Sequence, residues 1–411
     1  MTNLFNKAQE LDQSDRLKAA RERFYLPQGK IYLDGNSLGA LPKDVPARVQ
    51  DAIQRQWGED LIQSWNTNHW IDLPTRVGKQ LSALIGANPD EVVACDSTSI
   101  NVFKVLLAAL KLRPERHVIV SDIDNFPTDL YIAQGINDLL DNKYELRFVK
   151  RADLDTALTE DVAVLLLTEI DYRTGERLEM AALTQQAHAV GALTIWDLAH
   201  SAGAFPVALN ACQADFAIGC GYKYLNGGPG APAFLFVAKK HQEAALPALS
   251  GWMGHAQPFA FTPEYAPANG ILRLTTGTPP VLALTALEAA LELWQEFSIV
   301  EARVKSLSLT DLFIEAMQPL EQYGFRCVTP QEHAKRGSQV SYTHQDGFEI
   351  MQALIAAGVI GDFRAPNIVR FGFAALYNSH ADILEAVRRL EDIMQHNTWQ
   401  KPEFAMRGKV T

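Results

Sequence analysis

The sequence predicts an α/β fold in two parts, a large domain built on a parallel sheet covered by helices and a smaller C-terminal α+β domain. Three observations predict it. From about Asp90 to Lys239, amphipathic helical stretches alternate with short apolar runs bounded by polar or glycine-rich turns, the pattern of strands buried on both faces. After Pro279-Pro280 the pattern changes to long helices separated by short strands. A chain of 411 residues exceeds what one hydrophobic core usually serves.

Taken in order, residues 1–45 read as an arm ending in Asp34-Gly35-Asn36-Ser37-Leu38-Gly39, which holds too many turn formers for an element interior. Residues 46–280 make the large domain. In it Ser97 to Leu112 reads as a helix, because Phe103, Leu106, Leu107 and Leu110 fall on one face. Its start is rich in capping residues, Asp96, Ser97, Thr98 and Ser99, which leave backbone N–H groups free to meet a ligand. The strands are Val118 to Ser121, Val162 to Thr168, Leu193 to Asp197, Phe216 to Cys220 and Ala233 to Val237. Residues 281–411 form the smaller domain, with helices over Val281 to Phe297 and Ala302 to Met317, short strands, and two further helices ending near Met394.

Composition narrows the function. A net charge of -11 opposes phosphate-backbone binding, so no nucleic acid is expected, and no apolar stretch is long enough to cross a bilayer. The acidic, apolar-poor beginning predicts no export or transit signal. Cys95, Cys212, Cys220 and Cys327 lack any paired metal spacing, which fits a reducing compartment, with the cytoplasm as the expected location and no metal expected. A small-molecule substrate is the natural partner.

The strongest local signal is Gly219-Cys220-Gly221-Tyr222-Lys223-Tyr224-Leu225-Asn226-Gly227-Gly228-Pro229-Gly230, a lysine directly after an apolar strand and before a glycine-rich loop. An amine fixed there, partly desolvated, suits attachment of an aldehyde cofactor; a plain lysine in a turn is the alternative. Trp196-Asp197-Leu198-Ala199-His200 ends another strand, and the interval to Lys223 fits one βαβ-like step. A carboxylate at that strand end can meet a protonated pyridine nitrogen, or can simply cap a helix. His200 is a cofactor contact or an ordinary buried histidine. Thr98 and Ser99 suit a phosphate. Asn125-Phe126-Pro127-Thr128-Asp129 offers an aromatic ring to stack and a second carboxylate, or a plain loop.

These motifs, with Tyr32-Leu33-Asp34-Gly35-Asn36-Ser37-Leu38-Gly39, Asp96-Ser97-Thr98-Ser99-Ile100-Asn101 and Gly251-Trp252-Met253-Gly254-His255, give the chain a nearly end-to-end resemblance to kynureninases. The resemblance implies the aspartate-aminotransferase fold of pyridoxal-phosphate enzymes, fold type I, with a large mixed, mostly parallel sheet. It implies hydrolysis of L-kynurenine to anthranilate and L-alanine in tryptophan and kynurenine metabolism, with 3-hydroxykynurenine as a second candidate substrate. Lys223 would hold the cofactor as a Schiff base, Asp197 would meet the pyridine nitrogen and Phe126 would stack on the ring. Pro127, Thr128, Asp129, Thr168 and His200 would lie close by. Thr98, Ser99 and Tyr222 would hold the phosphate together with Trp252 and Thr278, these last two from the partner of a homodimer with shared active sites. Tyr222 is also the candidate proton donor. Arg370, in Ile368-Val369-Arg370-Phe371-Gly372, would grip the α-carboxylate, and Ser37, Trp65 and Trp70 would approach the aryl ring. Two rival readings share the fold: a cysteine desulfurase or selenocysteine lyase, which needs a nucleophilic cysteine on a mobile loop where Cys327 reads as a strand start, and a non-catalytic cofactor-binding protein.

Overall fold

The structure, a computed structural model, describes residues 2–408. Seven strands form the large sheet: β1 (Val92–Ala94), β2 (Val118–Asp122), β3 (Glu145–Val149), β4 (Val162–Thr168), β5 (Leu193–Asp197), β6 (Phe216–Cys220) and β7 (Ala233–Val237), in the spatial order β1-β7-β6-β5-β4-β2-β3. Neighbours from β6 through β3 run parallel, and β7 is antiparallel to both β6 and β1. The sheet is therefore mixed and mostly parallel, as the resemblance implies.

Alternate residues of each strand enter opposite cores, which is why the strands read as unbroken apolar runs. Leu165 and Leu167 of β4 join Val118, Val120 and Trp196 on one face, while Val164 and Leu166 join Ile119 and Ile195 on the other. Each such side chain contributes about 1.5–3 kcal/mol by leaving water. The two unexpected strands lack that signature. β3 lies at the sheet edge and carries Glu145 and Arg147, and β1 is only three residues long. The link from β5 to β6 is built of turns, without the helix that a βαβ step would supply.

The helices used below are α1 (Thr2–Gln13), α2 (Thr98–Lys111), α3 (Pro127–Leu139), α4 (Val281–Leu291), α5 (Ile299–Met317), α6 (Gly347–Ala356) and α7 (His380–Gln395). Ser97 caps α2, its Oγ accepting from the Ile100 N–H at 3.4 Å, and Leu106, Leu107 and Leu110 bury against the sheet. The long helix expected from Val281 is interrupted at Glu292 and resumes for one turn, Leu293–Glu296. Through Leu284, Leu287 and Leu291, α4 packs into the sheet core.

A second, four-stranded antiparallel sheet is made by β8 (Arg326–Cys327), β9 (Gln339–Thr343), β10 (Asp362–Arg364) and β11 (Ile368–Gly372), in the order β8-β9-β11-β10. It shares a core with α5, α6 and α7, formed by Phe313, Met351, Leu354, Phe371 and Val387. The N-terminal segment belongs to this core as well. Ala8, Ile31 and Leu33 are buried in it, and Ile31–Tyr32 pairs in parallel with Val359–Ile360. That segment contains α1, a helix hidden in sequence by its many polar residues.

Asp12 fastens α1 to the start of α7, accepting from the His380 N–H at 2.8 Å and the Ala381 N–H at 3.0 Å. Burial alone would raise its pKa, but the side-chain and backbone hydrogen bonds from His380 prevail and hold it below the ordinary carboxylate value. A depressed pKa contributes stability that is present above the unfolded-state value and is lost as pH falls through the folded one. Asp12→Ala is expected to lower unfolding stability by about 1 kcal/mol near neutral pH, and less in acid. Urea midpoints at two pH values check this, and an equal loss at both would remove the carboxylate from the account.

Candidate active site

The C-terminal ends of β4, β5 and β6 lie side by side, Thr168 paired with Asp197 and Asp197 with Ile218. Ligands of open α/β sheets collect at such strand ends. Here they form the floor of a cavity of about 180 Å³ into which Lys223, Tyr222 and His200 project. Lys223 follows β6 in the loop that returns as β7, and the loop is closed on itself by Gly227 N–H to Gly221 C=O at 2.9 Å. Its Nζ lies 5.9 Å from the centre of the Phe126 ring and 5.8 Å from that of Tyr222. Burial lowers its pKa, the charges of Cys220 and Asp197 oppose this, and Arg370 and Arg364 add to it.

Asp197 is buried, and its Oδ1 accepts from the Ala199 N–H at 2.7 Å. Burial pushes its pKa up and the Lys223 charge pulls it back, leaving it raised. Asp129 is fully buried; one of its oxygens accepts from Thr168 Oγ1 at 3.4 Å and the other has no partner among the described residues. Burial and then the charge of Asp197 hold Asp129 well above the ordinary carboxylate value. His200, also buried, contacts Gln339 Oε1 through Nδ1 at 3.3 Å, and burial keeps its ring neutral. Two desolvated carboxylates thus face one lysine. The site is short of a proton donor, which a protonated pyridine nitrogen at Asp197 would supply.

Two helices begin at this cavity. Thr98 and Ser99 of α2, and Thr128 of α3, line it with the unpaired N–H groups of first turns, a setting for an anion. Pro127 occupies the first turn of α3, where its missing N–H costs nothing. Phe126, just before it, forms one wall. Behind α2, the buried Lys104 Nζ donates to Asp96 Oδ2 and to the Leu274 carbonyl, both at 2.6 Å, bracing the turn that starts the helix.

The small sheet adds Arg370 from β11, held by Asp362, by the Tyr172 carbonyl at 2.7 Å and by Ser37 Oγ at 3.0 Å. Ser37 reaches it because the 34–39 segment presses on both sheets. A Cβ on Gly39 would stand 2.3 Å from the Lys223 carbonyl oxygen, and one on Gly372 would overlap the Asn36 amide. Only glycine permits either approach.

Thr98, Ser99, Phe126, Thr128, Thr168, Asp197, His200, Tyr222 and Lys223 therefore meet at one cavity, with Asp129 and Pro127 behind its wall and Arg370 and Ser37 beside it. Four expected residues do not come there within one chain. The Trp65 ring packs on Trp70 with 6.0 Å between centroids, Trp252 packs on Phe259 at 5.6 Å, and Thr278 lines a separate small cavity beside Cys95 and Asp96. Residues not foreseen include Tyr172, set edge-on to Phe126 at 5.3 Å, as well as Gln339 and Asp362. Tyr172 follows a strand end, a position that could have drawn attention to it; the other two carry no local signal.

A lysine and a buried carboxylate at neighbouring strand ends, facing two helix N-termini across a mixed sheet, define a pyridoxal-phosphate enzyme of the aminotransferase-like fold. Solved structures agree on the fold: a cysteine desulfurase from Thermococcus onnurineus NA1 aligns at TM-score 0.78 with 20% identity over 92% of this chain and 98% of its own. A variant of C-DES with glycine covalently linked to its pyridoxal phosphate aligns at 0.77 with 18% identity over 90% and 99%. A family model described as the kynureninase C-terminal domain matches residues 302–390. The kynureninase of Deinococcus radiodurans is 54% identical over 93% of this chain and 95% of its own length, and that of Burkholderia mallei 50% identical over 98% and 99%. The chain belongs to the kynureninase family. It is a pyridoxal-phosphate-dependent hydrolase acting on carbon–carbon bonds.

Proposed function

We propose that the chain hydrolyses L-kynurenine to anthranilate and L-alanine at the cavity around Lys223, working as a homodimer in the cytoplasm. The observation that carries the reading is Lys223 set over the buried Asp197, with Arg370 held across the cavity wall by Ser37 and Tyr172. Pyridoxal phosphate supplies an electron sink for negative charge at the substrate's α-carbon. The α2 and α3 N-termini, with Thr98, Ser99 and Thr128, would bind its phosphate, Asp197 would pair with its ring nitrogen, and Phe126 would cover its face. Thr168, His200 and Asp129 would lie around its edge.

Arg370 holds the substrate's α-carboxylate and so orients the α-hydrogen toward Lys223. The lowered basicity of Lys223 leaves more of its amine free to take that proton near neutral pH. Water adds to the γ-carbonyl and the bond between the β and γ carbons breaks. Tyr222 gives a proton to the β-carbon; burial raises its pKa, so its hydroxyl stays protonated and available. Trp252 and Thr278, which do not line the cavity around Lys223 in their own chain, complete the site of the partner subunit. Among the described residues all four cysteines are free thiols, which favours a reducing compartment.

Purified protein supplied with pyridoxal phosphate should develop the visible absorbance of lysine-bound cofactor and, on addition of L-kynurenine, anthranilate fluorescence. Absorbance without anthranilate would turn attention to the desulfurase reading suggested by the structural neighbours. That reading needs a reactive thiol, and Cys327 is a poor one. It lies in β8, half-buried, with Sγ 3.5 Å from the Thr329 carbonyl, and burial raises its pKa. Cys327→Ala is expected to keep anthranilate production within about twofold of the parent; a large loss would revive the alternative.

A further inference from the structure

Arg370 and Asp362 stand directly opposite each other on the antiparallel strands β11 and β10, and both are almost fully buried, at 2% and 4% exposure. The contact is two-pronged: Arg370 Nε donates to Asp362 Oδ1 at 2.8 Å, and Nη2 donates to Asp362 Oδ2. A planar fork fixed at two points can neither rotate nor slide. Nη1 donates to the Tyr172 carbonyl and Nη2 to Ser37 Oγ. Among the described residues this leaves one N–H, on Nη1, without a partner. The Nη1 contact is to Tyr172, itself part of the cavity wall, which sets this end of the guanidinium beside the cavity.

We infer that Asp362 is a positioning residue for the reaction: by occupying the Nε edge of Arg370 it fixes where, and on which edge, the substrate's α-carboxylate can dock. This rests on the reading of Arg370 as the carboxylate grip. One carboxylate oxygen takes the free Nη1 N–H, and the other replaces Ser37 Oγ on Nη2. The displaced hydroxyl keeps a partner, since Ser37 Oγ already lies 3.0 Å from Asp362 Oδ2. The charge balance permits the exchange. Asp362 also pairs with Arg364 at 2.7 Å, so two guanidiniums share one carboxylate and a positive charge remains for the ligand. Asp34, the next carboxylate along, does not cancel that charge fully. Burial and then the charge of Asp362 push its pKa up to about 7, against Ser37, Arg370 and Arg364. Tyr32, Tyr224 and Tyr377 complete the surroundings of Asp34 as neutral phenols whose pKa values burial raises.

The test uses the cofactor-loaded enzyme. Asp362→Asn should raise KM for L-kynurenine by about tenfold to a hundredfold while kcat falls by less than about threefold. The inhibition constant of the substrate analogue lacking the α-carboxylate should stay unchanged, because that molecule never meets Arg370. An unchanged KM, or a KM and inhibition constant that rise together, overturns the inference. If Asp362→Asn does not fold, Asp362→Glu, which keeps the charge but displaces the fork by one methylene, must show the same split. Arg370→Lys separates the two ideas. If it leaves KM unchanged, the carboxylate reading itself fails; if it raises KM while the Asp362 variants do not, only the role of Asp362 fails.

Discussion

Replacing Lys223 with alanine is expected to lower anthranilate production by about four orders of magnitude and to abolish the visible absorbance of lysine-bound cofactor. The same amine anchors the cofactor and moves the α-proton, so one substitution removes both. No other side chain can take over. Tyr222 is held in its protonated form, and His200 has no carboxylate partner among the described residues to raise its basicity. The fold should survive, because among the described residues Lys223 makes no side-chain hydrogen bond or ion pair and its backbone contacts are retained. Circular dichroism and the anthranilate assay on the same preparation check both halves. Wild-type turnover by the variant would remove Lys223 from the mechanism.

The second large effect is expected at Asp197. Asp197→Asn preserves size and the hydrogen bond from Ala199 but removes the charge that stabilises a protonated ring nitrogen. It should cut kcat by about a thousandfold with little change in KM, since the lost interaction matters where negative charge develops at the α-carbon. Cofactor affinity should fall less, because the phosphate cradle is untouched. If kcat is retained, the ring nitrogen does not lie at Asp197. Asp129 would then be the carboxylate to replace next, since one of its oxygens still awaits a partner.

The strands that carry the site were legible in sequence for a physical reason: burial on both faces leaves no polar position to blur the run. Thr168, Asp197 and Lys223 could be read off the ends of three such runs. The short β1 and the half-wet β3 offered no such run. The N-terminal helix was obscured differently, because its burial against α7 is only partial and its exposed face dominates its composition. Asp362 and Gln339 were beyond the reach of local pattern, and Tyr172 had only its place after a strand end to mark it. Gln339 and Tyr172 owe their roles to contacts with residues far away in the chain, His200 and Arg370, which exist only once the small sheet is laid beside the large one, whereas Asp362 owes its role to the pairing of β10 with β11 that sets it opposite Arg370.

The antiparallel return of β7 beside β6 has a mechanical consequence. Cys220 pairs with Ala233, so the loop bearing Lys223 is pinned at both feet, and Gly227 cinches it between them. Lys223 is a short tether swinging from a fixed post. When its amine is released, it can travel no farther than its own methylene chain allows. It therefore remains within striking range throughout turnover, and its recapture at the end of each cycle needs no search. Slackening the post, for instance by lengthening this loop, should lower turnover while every atom of the reacting groups stays in place.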